Sequence, residues 1–234
     1  MSEGIYNGVD NLDRMAELAP NYNRFLTRLV ERYLKGEGKL LDFGAGTGTF
    51  AQMLRSRGLE VVCVEPDPRL QELLKSKGLE AHVSLEALPE GSVPAVFTFN
   101  VLEHIEDDVA ALRQIHDRLK PGGKLLIYVP AFQVIFSSMD RKVGHFRRYT
   151  RGTLTARLRE AGFEIESACY ADSLGFAASL AYKWFGNPRG DLNPAALKTF
   201  DRWVFPLSRV LDVAVHPWLG KNVIALARRW NGRA

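Results

Sequence analysis

The chain has 234 residues, of which 46% are hydrophobic and 25% are charged, with a net charge of +4 at pH 7. A chain of this size can bury a full hydrophobic core, and its composition excludes disordered and fibrous classes, while its mild basicity permits acidic partners without requiring them. Its two cysteines, Cys63 and Cys169, form no C-x-x-C pair, so we predict neither a disulfide framework nor a metal site.

Apolar runs alternate with helical patterns along the first half of the chain. An N-terminal segment with helical spacing, interrupted at Pro20, comes first. Strands that alternate with helices of about ten residues imply parallel pairing and a doubly wound sheet. The predicted strands are 39–43, 60–65, 79–83, 94–102 and 122–130, and the helices between them are 49–58, 68–78 and 107–120.

The pattern changes after residue 130. A basic, irregular stretch (131–150) leads to a helix at 151–162, a strand at 163–170 and a last strand at 221–229, which brings the predicted sheet to seven strands. Residues 171–220 are rich in aromatic side chains, and we favour a helical cap that buries them against the core. A dimer interface, a hydrophobic acceptor pocket and helices on a membrane surface stay open as alternatives. We therefore divide the chain into an N-terminal helical lid (1–36), an α/β core (37–170 with 221–234) and a helical insertion (171–220).

The stretch "LLDFGAGTGTF" at 40–50 places Gly44, Gly46 and Gly48 directly after the first strand. Glycine adopts unusual φ values cheaply and lets a ligand lie against the backbone. The spacing lacks the third glycine of a dinucleotide fingerprint, and no Walker lysine follows. Glu65 ends the second strand about 20 residues on, where an acid would bind a ribose diol. The residues therefore favour a nucleoside without a pyrophosphate, and S-adenosylmethionine fits.

Four segments together resemble the class I S-adenosylmethionine-dependent methyltransferases. "LLDFGAGTGTF" and "VVCVEPD" look like the first and second motifs of that family, and "FNVLEHIEDD" and "LKPGGKLLIYVP" are similar to its segments at the fourth and fifth strands. The resemblance is close over residues 39–130. It implies a Rossmann-like methyltransferase fold, S-adenosylmethionine as cofactor and S-adenosylhomocysteine as product.

The resemblance also implies roles for particular residues at the cofactor. The glycine loop would line the methionine part, Asp42 would orient that loop, and Glu65 would hold the ribose. Tyr22 lies on the extension that often forms a lid in this family, and Asn100 would approach the methionine tail. The whole set expected at the cofactor is Asp42, Gly44, Ala45, Gly46, Gly48, Glu65, Pro66, Asp67, Ser84, Leu85, Asn100 and Tyr22.

The segment "DRKVGHFRRY" at 140–149 follows the fifth strand and looks like a GHxRRY segment found in a subset of these enzymes. A histidine side chain can act as a base near neutral pH, so His145 is the first candidate base, with His104 as a second candidate base or a helix cap. Arginine binds carboxylates and phosphates through two parallel hydrogen bonds, so Arg147 and Arg148 are candidates for binding an anionic acceptor. The candidate catalytic residues are His145, His104 and Tyr149, and the candidate substrate-binding residues are Arg147, Arg148, Phe132 and Asp140.

Our leading hypothesis is a methyltransferase that acts on a small-molecule or lipid-like acceptor by in-line displacement. An RNA methyltransferase is an alternative, disfavoured because "NVLE" replaces an N-P-P-Y-type segment after the fourth strand. A non-catalytic nucleoside-binding module is another alternative. The acceptor atom and the choice between monomer and homodimer stay open. No signal peptide or long apolar run is found, so we expect a cytoplasmic protein, with peripheral membrane contact left open.

Overall fold

Seven strands form a single sheet in the computed structural model, which describes residues 17–191 and 193–230. The strand order is β3-β2-β1-β4-β5-β7-β6. Neighbouring strands are parallel except β7, which is antiparallel to both β5 and β6. The doubly wound, mostly parallel sheet predicted from the sequence is confirmed. The strands are β1 (Leu40–Phe43), β2 (Val61–Val64), β3 (Glu80–His82), β4 (Val93–Phe99), β5 (Leu119–Pro130), β6 (Phe163–Ala171) and β7 (Asn222–Arg229).

The helices begin at residues suited to helix N-termini. Pro20, which interrupts the sequence pattern, is the first residue of α1, where its missing N–H costs no hydrogen bond. Asp67 caps α3 by accepting from the Arg69 N–H, and Thr150 caps α6 by accepting from the Thr153 N–H. The helices are α1 (Pro20–Leu34), α2 (Thr49–Arg55), α3 (Pro68–Ser76), α4 (Asp108–Arg118), α5 (Ser138–Lys142), α6 (Arg151–Glu160), α7 (Ser173–Phe185), α8 (Pro194–Thr199) and α9 (Phe205–Val215), with a π-helical turn at Phe200–Val204.

Both faces of the sheet are covered, which explains why the central strands are almost continuously apolar. Successive residues of a strand point to opposite faces. Val96 and Ile127 therefore lie in one hydrophobic cluster, with side chains from α4 and α6. Phe97 and Tyr128 lie in the other cluster, with side chains from α1, α2 and α3.

The residues between β6 and β7 fold as helices α7–α9. Their arrangement differs from the cap that we favoured from the sequence, because Trp184, Trp203 and Trp218 are exposed to solvent instead of buried against the core. Within the described residues, every helix is too short or too polar to cross a membrane. Residues 1–16 of the predicted lid, Leu192 of the insertion and residues 231–234 lie outside the described part of the chain.

Asp201 connects this insertion to the N-terminal helix. Its two carboxylate oxygens accept hydrogen bonds from the backbone N–H groups of Asn21 (3.0 Å) and Tyr22 (2.9 Å). The first N–H groups of a helix lack intrahelical partners, so a buried carboxylate at this point satisfies two of them. A side chain nearly 180 residues away in the sequence therefore holds the start of α1.

We predict that Asp201→Ala lowers the free energy of unfolding by about 1–3 kcal/mol, because two buried N–H groups lose their acceptor. Urea unfolding followed by circular dichroism measures this difference. Asp117→Ala is the matched control, since the Asp117 side chain is 60% exposed. Equal stability of the two variants would show that the Asp201 contact does not hold α1.

Candidate functional site

One edge of the sheet carries all three non-glycine residues that have positive φ in the described residues. Asn100 (φ 54°), Phe132 (φ 60°) and Asp172 (φ 63°) follow the carboxyl ends of β4, β5 and β6. Such conformations are costly for residues with a Cβ and are concentrated at functional sites. In open α/β sheets ligands also bind beyond the carboxyl ends of the strands. Both observations point to this edge as the site.

The loop at the end of β1 packs closely against neighbouring side chains and adopts backbone conformations that require glycine. Gly44 and Gly48 have φ values of 79° and 78°. A Cβ on Gly44 would lie 2.4 Å from Cγ2 of Val101, and one on Gly48 would lie 2.5 Å from Cδ2 of Leu74. Both separations are far below a normal carbon–carbon contact, so the loop conformation requires glycine at these positions.

Glu65 faces this loop from the end of β2. Its Oε2 accepts a hydrogen bond from the Gly46 N–H (2.9 Å), and its Oε1 accepts one from the Asp67 N–H (3.1 Å). Burial raises the pKa of the Glu65 carboxyl, although these two bonds act in the opposite direction. An ionised carboxylate has about four acceptor positions, so Glu65 keeps capacity for a further donor such as a sugar hydroxyl.

Asp42 is buried at the end of β1, and its Oδ2 has no hydrogen-bond partner among the described residues. Burial and the neighbouring Glu65 carboxylate raise its pKa well above the usual range. An unpartnered buried carboxyl oxygen is costly unless a ligand satisfies it. Together with the bare glycine backbone, this orphan oxygen fits a nucleoside cofactor that carries a cationic or hydroxyl donor.

The remaining predicted cofactor residues lie around the same loop, but not all of them direct a side chain to it. The Asp67 side chain caps α3 and pairs with Arg69, so only its backbone faces Glu65. Pro66 is exposed, and Ser84 precedes a 3-10 turn in which the Leu85 side chain is buried in the core. Ala45 is buried in the loop, and its N–H donates to the Val64 carbonyl.

Tyr22 and Asn100 meet, although 78 residues separate them. The Asn100 side-chain amide donates to the Tyr22 hydroxyl at 3.0 Å. The Tyr22 ring packs edge-on against Tyr128 and Phe205. The N-terminal helix is thereby joined to the end of β4, at the edge where the cofactor is expected.

Asp140 is the centre of the segment 137–148. It is fully buried and accepts hydrogen bonds from Arg148 Nε (2.8 Å) and Nη2 (3.0 Å), from the Ser137 N–H (2.8 Å) and from Nδ1 of His145 (2.7 Å). Burial alone would raise its pKa, but the hydrogen bonds from His145 and Arg148 outweigh it and hold the pKa of Asp140 well below the usual range. Asp140 is therefore ionised, and it binds its own segment instead of a substrate.

The structure pairs Arg147, Arg148 and Tyr149 with acids of the chain, so the substrate roles predicted for the two arginines and the catalytic role predicted for Tyr149 gain no support from these contacts. Arg148 is buried in its two-pronged pair with Asp140. Arg147 pairs with the buried Asp108 at 2.9 Å, and the Tyr149 hydroxyl donates to the same carboxylate at 2.7 Å. Sequence analysis identified the right residue types for gripping an anion, but these groups are already satisfied by acids of the chain itself.

His145 is the member of this segment that keeps a ring nitrogen available. An ionised carboxylate only accepts hydrogen bonds, so the bond to Asp140 places the proton on Nδ1 and leaves a lone pair on Nε2. Nε2 lies 3.9 Å from Oε1 of Glu103, beyond hydrogen-bond distance. The geometry is that of a histidine oriented by an acid and able to accept a proton.

Glu103 and His104 complete a cluster that sequence analysis only half recognised. His104 lies edge-on to His145, with 4.6 Å between ring centres, and Glu103 is completely buried with neither carboxyl oxygen hydrogen-bonded among the described residues. Burial raises the pKa of Glu103 to about 8, and burial and His145 lower that of His104 to about 4. Both groups are thus mainly uncharged at neutral pH. The signal for Glu103 was an acid directly after a buried strand in "LEHIEDD", beside the histidine that we singled out.

The donor atoms of Glu103, His104 and His145 lie within 4.8 Å of one another. Ligands about 2.1 Å from a zinc ion are separated by about 3.4 Å in a tetrahedral site. The cluster as it stands is wider than such a site. The spacing of Glu103, His104 and His145 therefore favours a role in proton transfer over metal binding.

Comparisons with known proteins agree on one class. A family model described as a methyltransferase domain matches residues 13–168. A ubiquinone biosynthesis O-methyltransferase from Xanthomonas oryzae pv. oryzae is 27% identical over 151 residues, which are 55% of this chain and 63% of that protein. The chain thus matches less than two thirds of that relative's length.

Two solved structures have the same fold. A SAM-dependent methyltransferase from Archaeoglobus fulgidus superposes with a TM-score of 0.58 at 17% identity, covering 88% of this chain and 94% of that one. Phosphoethanolamine N-methyltransferase 2 from Haemonchus contortus, in complex with S-adenosyl-L-methionine, has a TM-score of 0.58 at 18% identity and covers 90% and 52%.

We predict that Glu65→Ala weakens S-adenosylmethionine binding by about 1–3 kcal/mol, because the variant removes a carboxylate acceptor beside the loop. Isothermal titration calorimetry measures the dissociation constant. Glu60→Ala is the control, because Glu60 is exposed and directly precedes β2, at the end of the strand opposite Glu65, and this variant should bind as the wild type does. An unchanged constant in Glu65→Ala would remove Glu65 from the binding site.

We predict that the stability of the wild type falls relative to Glu103→Gln as pH rises from about 4.5 to 8. The folded pKa of Glu103 is about 8 and its ordinary value is 4.5, so the folded state holds this proton more tightly. The stabilisation is complete below pH 4.5 and is lost through pH 8, by as much as about 5 kcal/mol. Urea unfolding of both proteins at pH 5 and pH 8.5 gives the difference. The exposed Glu106→Gln should follow the wild type, and a pH-independent difference for Glu103→Gln would contradict the assignment.

Proposed function

Because the chain belongs to the methyltransferase-domain family and is a class I S-adenosylmethionine-dependent methyltransferase, we propose that it methylates a hydroxyl oxygen of a small, largely apolar acceptor, with His145 as the proton acceptor. The single observation that carries this proposal is the hydrogen bond between His145 Nδ1 and the buried, ionised Asp140. A histidine oriented in this way can accept a proton from a substrate hydroxyl.

S-adenosylmethionine supplies an electrophilic methyl group bound to a good leaving group. The residues that would hold it are the glycine loop, Asp42, with its unpartnered Oδ2, and Glu65, with its unused acceptor positions. Tyr22 and Asn100, which bind each other, would close the methionine end. The rest of the catalytic task for the protein is to position the acceptor and to exclude water.

The proposed proton transfer is balanced. Nε2 of His145 would take the hydroxyl proton of the acceptor, whose oxygen would receive the methyl group that S-adenosylmethionine supplies as S-adenosylhomocysteine leaves. The resulting imidazolium keeps its Nδ1–H bond to Asp140, whose negative charge stabilises it. The proton then leaves to solvent, since the His145 side chain is 11% exposed.

An oxygen acceptor is favoured over a nitrogen acceptor. A neutral amine can attack through its lone pair before it loses a proton, whereas a hydroxyl is a poor nucleophile until it is deprotonated. The Xanthomonas relative is named as an O-methyltransferase, which supports the same choice.

The acceptor that we propose is apolar instead of anionic. Arg148 is buried in its pair with Asp140, and Arg147 is paired with Asp108, so both arginines already have acid partners within the chain. Phe132 stacks on Tyr170 with 4.7 Å between ring centres and touches Phe176, which gives an aromatic wall after β5. Arg148 is also buried in its pair with Asp140, where it cannot reach a phosphate backbone, and this disfavours RNA as the acceptor.

We predict that His145→Gln lowers kcat about 10²–10⁴-fold, because the variant cannot accept the hydroxyl proton. The assay is the release of S-adenosylhomocysteine with a panel of phenols that carry apolar tails of increasing length. Affinity for S-adenosylmethionine should be unchanged, which separates the loss of a base from unfolding. His116→Gln is the control, since His116 lies at the far end of α4 against Phe163.

Two results would contradict this function. One is that no phenol of the panel is methylated while an amine is. The other is that EDTA abolishes turnover and a divalent metal restores it, because the Glu103, His104 and His145 cluster would then hold an ion instead of a proton.

A further inference from the structure

Helix α9 presents its apolar side to solvent and its polar side to the protein. Its buried residues are Phe205, Ser208 and Asp212. Its outward stripe consists of Leu207, Val210, Leu211 and Ala214, all of which are exposed. These four positions follow the i, i+3, i+4, i+7 spacing of a single helix face. A surface helix normally has the opposite orientation.

Hydrogen bonds to the start of α7 hold α9 in this orientation. Asp212 accepts from the backbone N–H groups of Asp172 (2.8 Å) and Ser173 (2.9 Å), and the Ser208 hydroxyl accepts from the Leu174 N–H (3.0 Å). These N–H groups lie at the first turn of α7 and would otherwise be unsatisfied in a buried place. These hydrogen bonds therefore fix the rotation of α9 about its axis, with the polar stripe facing the protein.

Helix α7, which packs against α9, also exposes an apolar stripe. Ala177, Ala181, Trp184 and Phe185 lie on one side of the helix and are all exposed, Trp184 by 72% and Phe185 by 90%. We call the combined surface the outer face. It consists of Trp184, Phe185, Leu207, Val210, Leu211 and Val213, with Trp203 and Trp218 also exposed on the same insertion. An exposed apolar surface of this extent marks an interaction site.

The charges around the outer face are positive. The four acids of residues 171–220 are used internally: Asp172, Asp201 and Asp212 are buried, and Asp191 pairs with Lys142. In contrast, Lys198 and Arg202 are exposed, and no ion pair holds either of them within the described part of the chain. Arg202 lies over the ring of the exposed Trp203, at 5.3 Å from its centre.

We propose that the outer face binds the surface of an anionic lipid bilayer. Apolar helix stripes with tryptophans and unpaired basic residues are suited to the boundary between acyl chains and negatively charged headgroups. The 13 residues of α7 and the 11 residues of α9 lie along such a surface without crossing it. The charge pattern favours this occupant over a second copy of the chain, because two such faces would bring their unpaired cations together.

Binding in this way places the candidate site near the lipid. Helix α7 starts directly after β6, at the sheet edge that carries the site, and Phe176 of α7 touches Phe132 at 5.4 Å between ring centres. An acceptor with an apolar tail would then reach the site from the bilayer. The docking itself does not depend on the proposed chemistry of His145.

Vesicle flotation with the whole protein tests the inference. We expect the wild type to float with vesicles of phosphatidylcholine and phosphatidylglycerol, to bind pure phosphatidylcholine less, and to lose part of its binding in high salt. Tryptophan emission should shift to shorter wavelength with the anionic vesicles, since exposed indoles would enter an apolar environment.

Variants identify the surface. The pair Trp184→Ser with Phe185→Ser, and separately Val210→Glu, should each weaken partitioning about tenfold or more, because buried apolar area drives it. Trp230→Ser is the matched control, since this exposed tryptophan follows β7 at the opposite edge of the sheet. Unchanged affinity for S-adenosylmethionine in all variants checks that they fold, and this readout is independent of any methyl acceptor.

Three outcomes would overturn the inference. One is that the wild type ignores anionic vesicles. Another is that Trp230→Ser loses as much binding as the outer-face variants. The third is that light scattering finds a dimer that Val210→Glu dissociates, which would make the outer face a subunit interface instead.

Discussion

The candidate site depends on one set of interactions, the hydrogen bonds that the buried Asp140 carboxylate accepts from Arg148 and His145. A buried charge is tolerated only when it is paired and hydrogen-bonded, and Asp140 meets this condition with Arg148, Ser137 and His145. Each of these contacts has a consequence. The arginine neutralises the charge, the serine ends the loop before α5, and the histidine acquires a defined proton position. Removal of Asp140 would therefore leave a buried arginine and an unoriented base together.

Buried acids have the same role elsewhere at this sheet edge. Asp108 binds the side chains of Arg147, Arg157 and Tyr149. Asp201 and Asp212 accept hydrogen bonds from backbone N–H groups at the starts of α1 and α7, respectively. Each one joins segments far apart in the sequence. Arg147 and Arg148 thus bind acids of the chain itself, while Phe132 stacks on Tyr170 after β5 and the glycine loop follows β1 at the same sheet edge. This division explains why we propose an uncharged acceptor despite a basic sequence segment.

The proposed membrane binding and the proposed methyl transfer fit the same orientation of the molecule at a bilayer. The insertion begins at Asp172, which has a positive φ and immediately follows β6, and α9 exposes its apolar stripe because its polar residues Ser208 and Asp212 bind the start of α7. If the outer face binds a bilayer, the candidate site lies beside the lipid, because Phe176 of α7 contacts Phe132. Methyl transfer and membrane binding remain separately measurable, since S-adenosylmethionine affinity, phenol turnover and vesicle flotation report on different residues.

The sequence by itself determined the sheet, its doubly wound order of strands and helices, the glycine loop and the class of cofactor. These features are local, because hydrophobic period, glycine spacing and an acid at a strand end operate over a few residues. The sequence also identified the segment 140–149 as part of the candidate site, but not the contacts that its side chains make. Only the tertiary structure decided that Arg148 and Tyr149 face inward, that Glu103 belongs with His145, and that α9 turns its apolar side outward. Those outcomes depend on which acid each donor meets after folding, and a single sequence does not show which residues, eight to 180 positions apart, become partners.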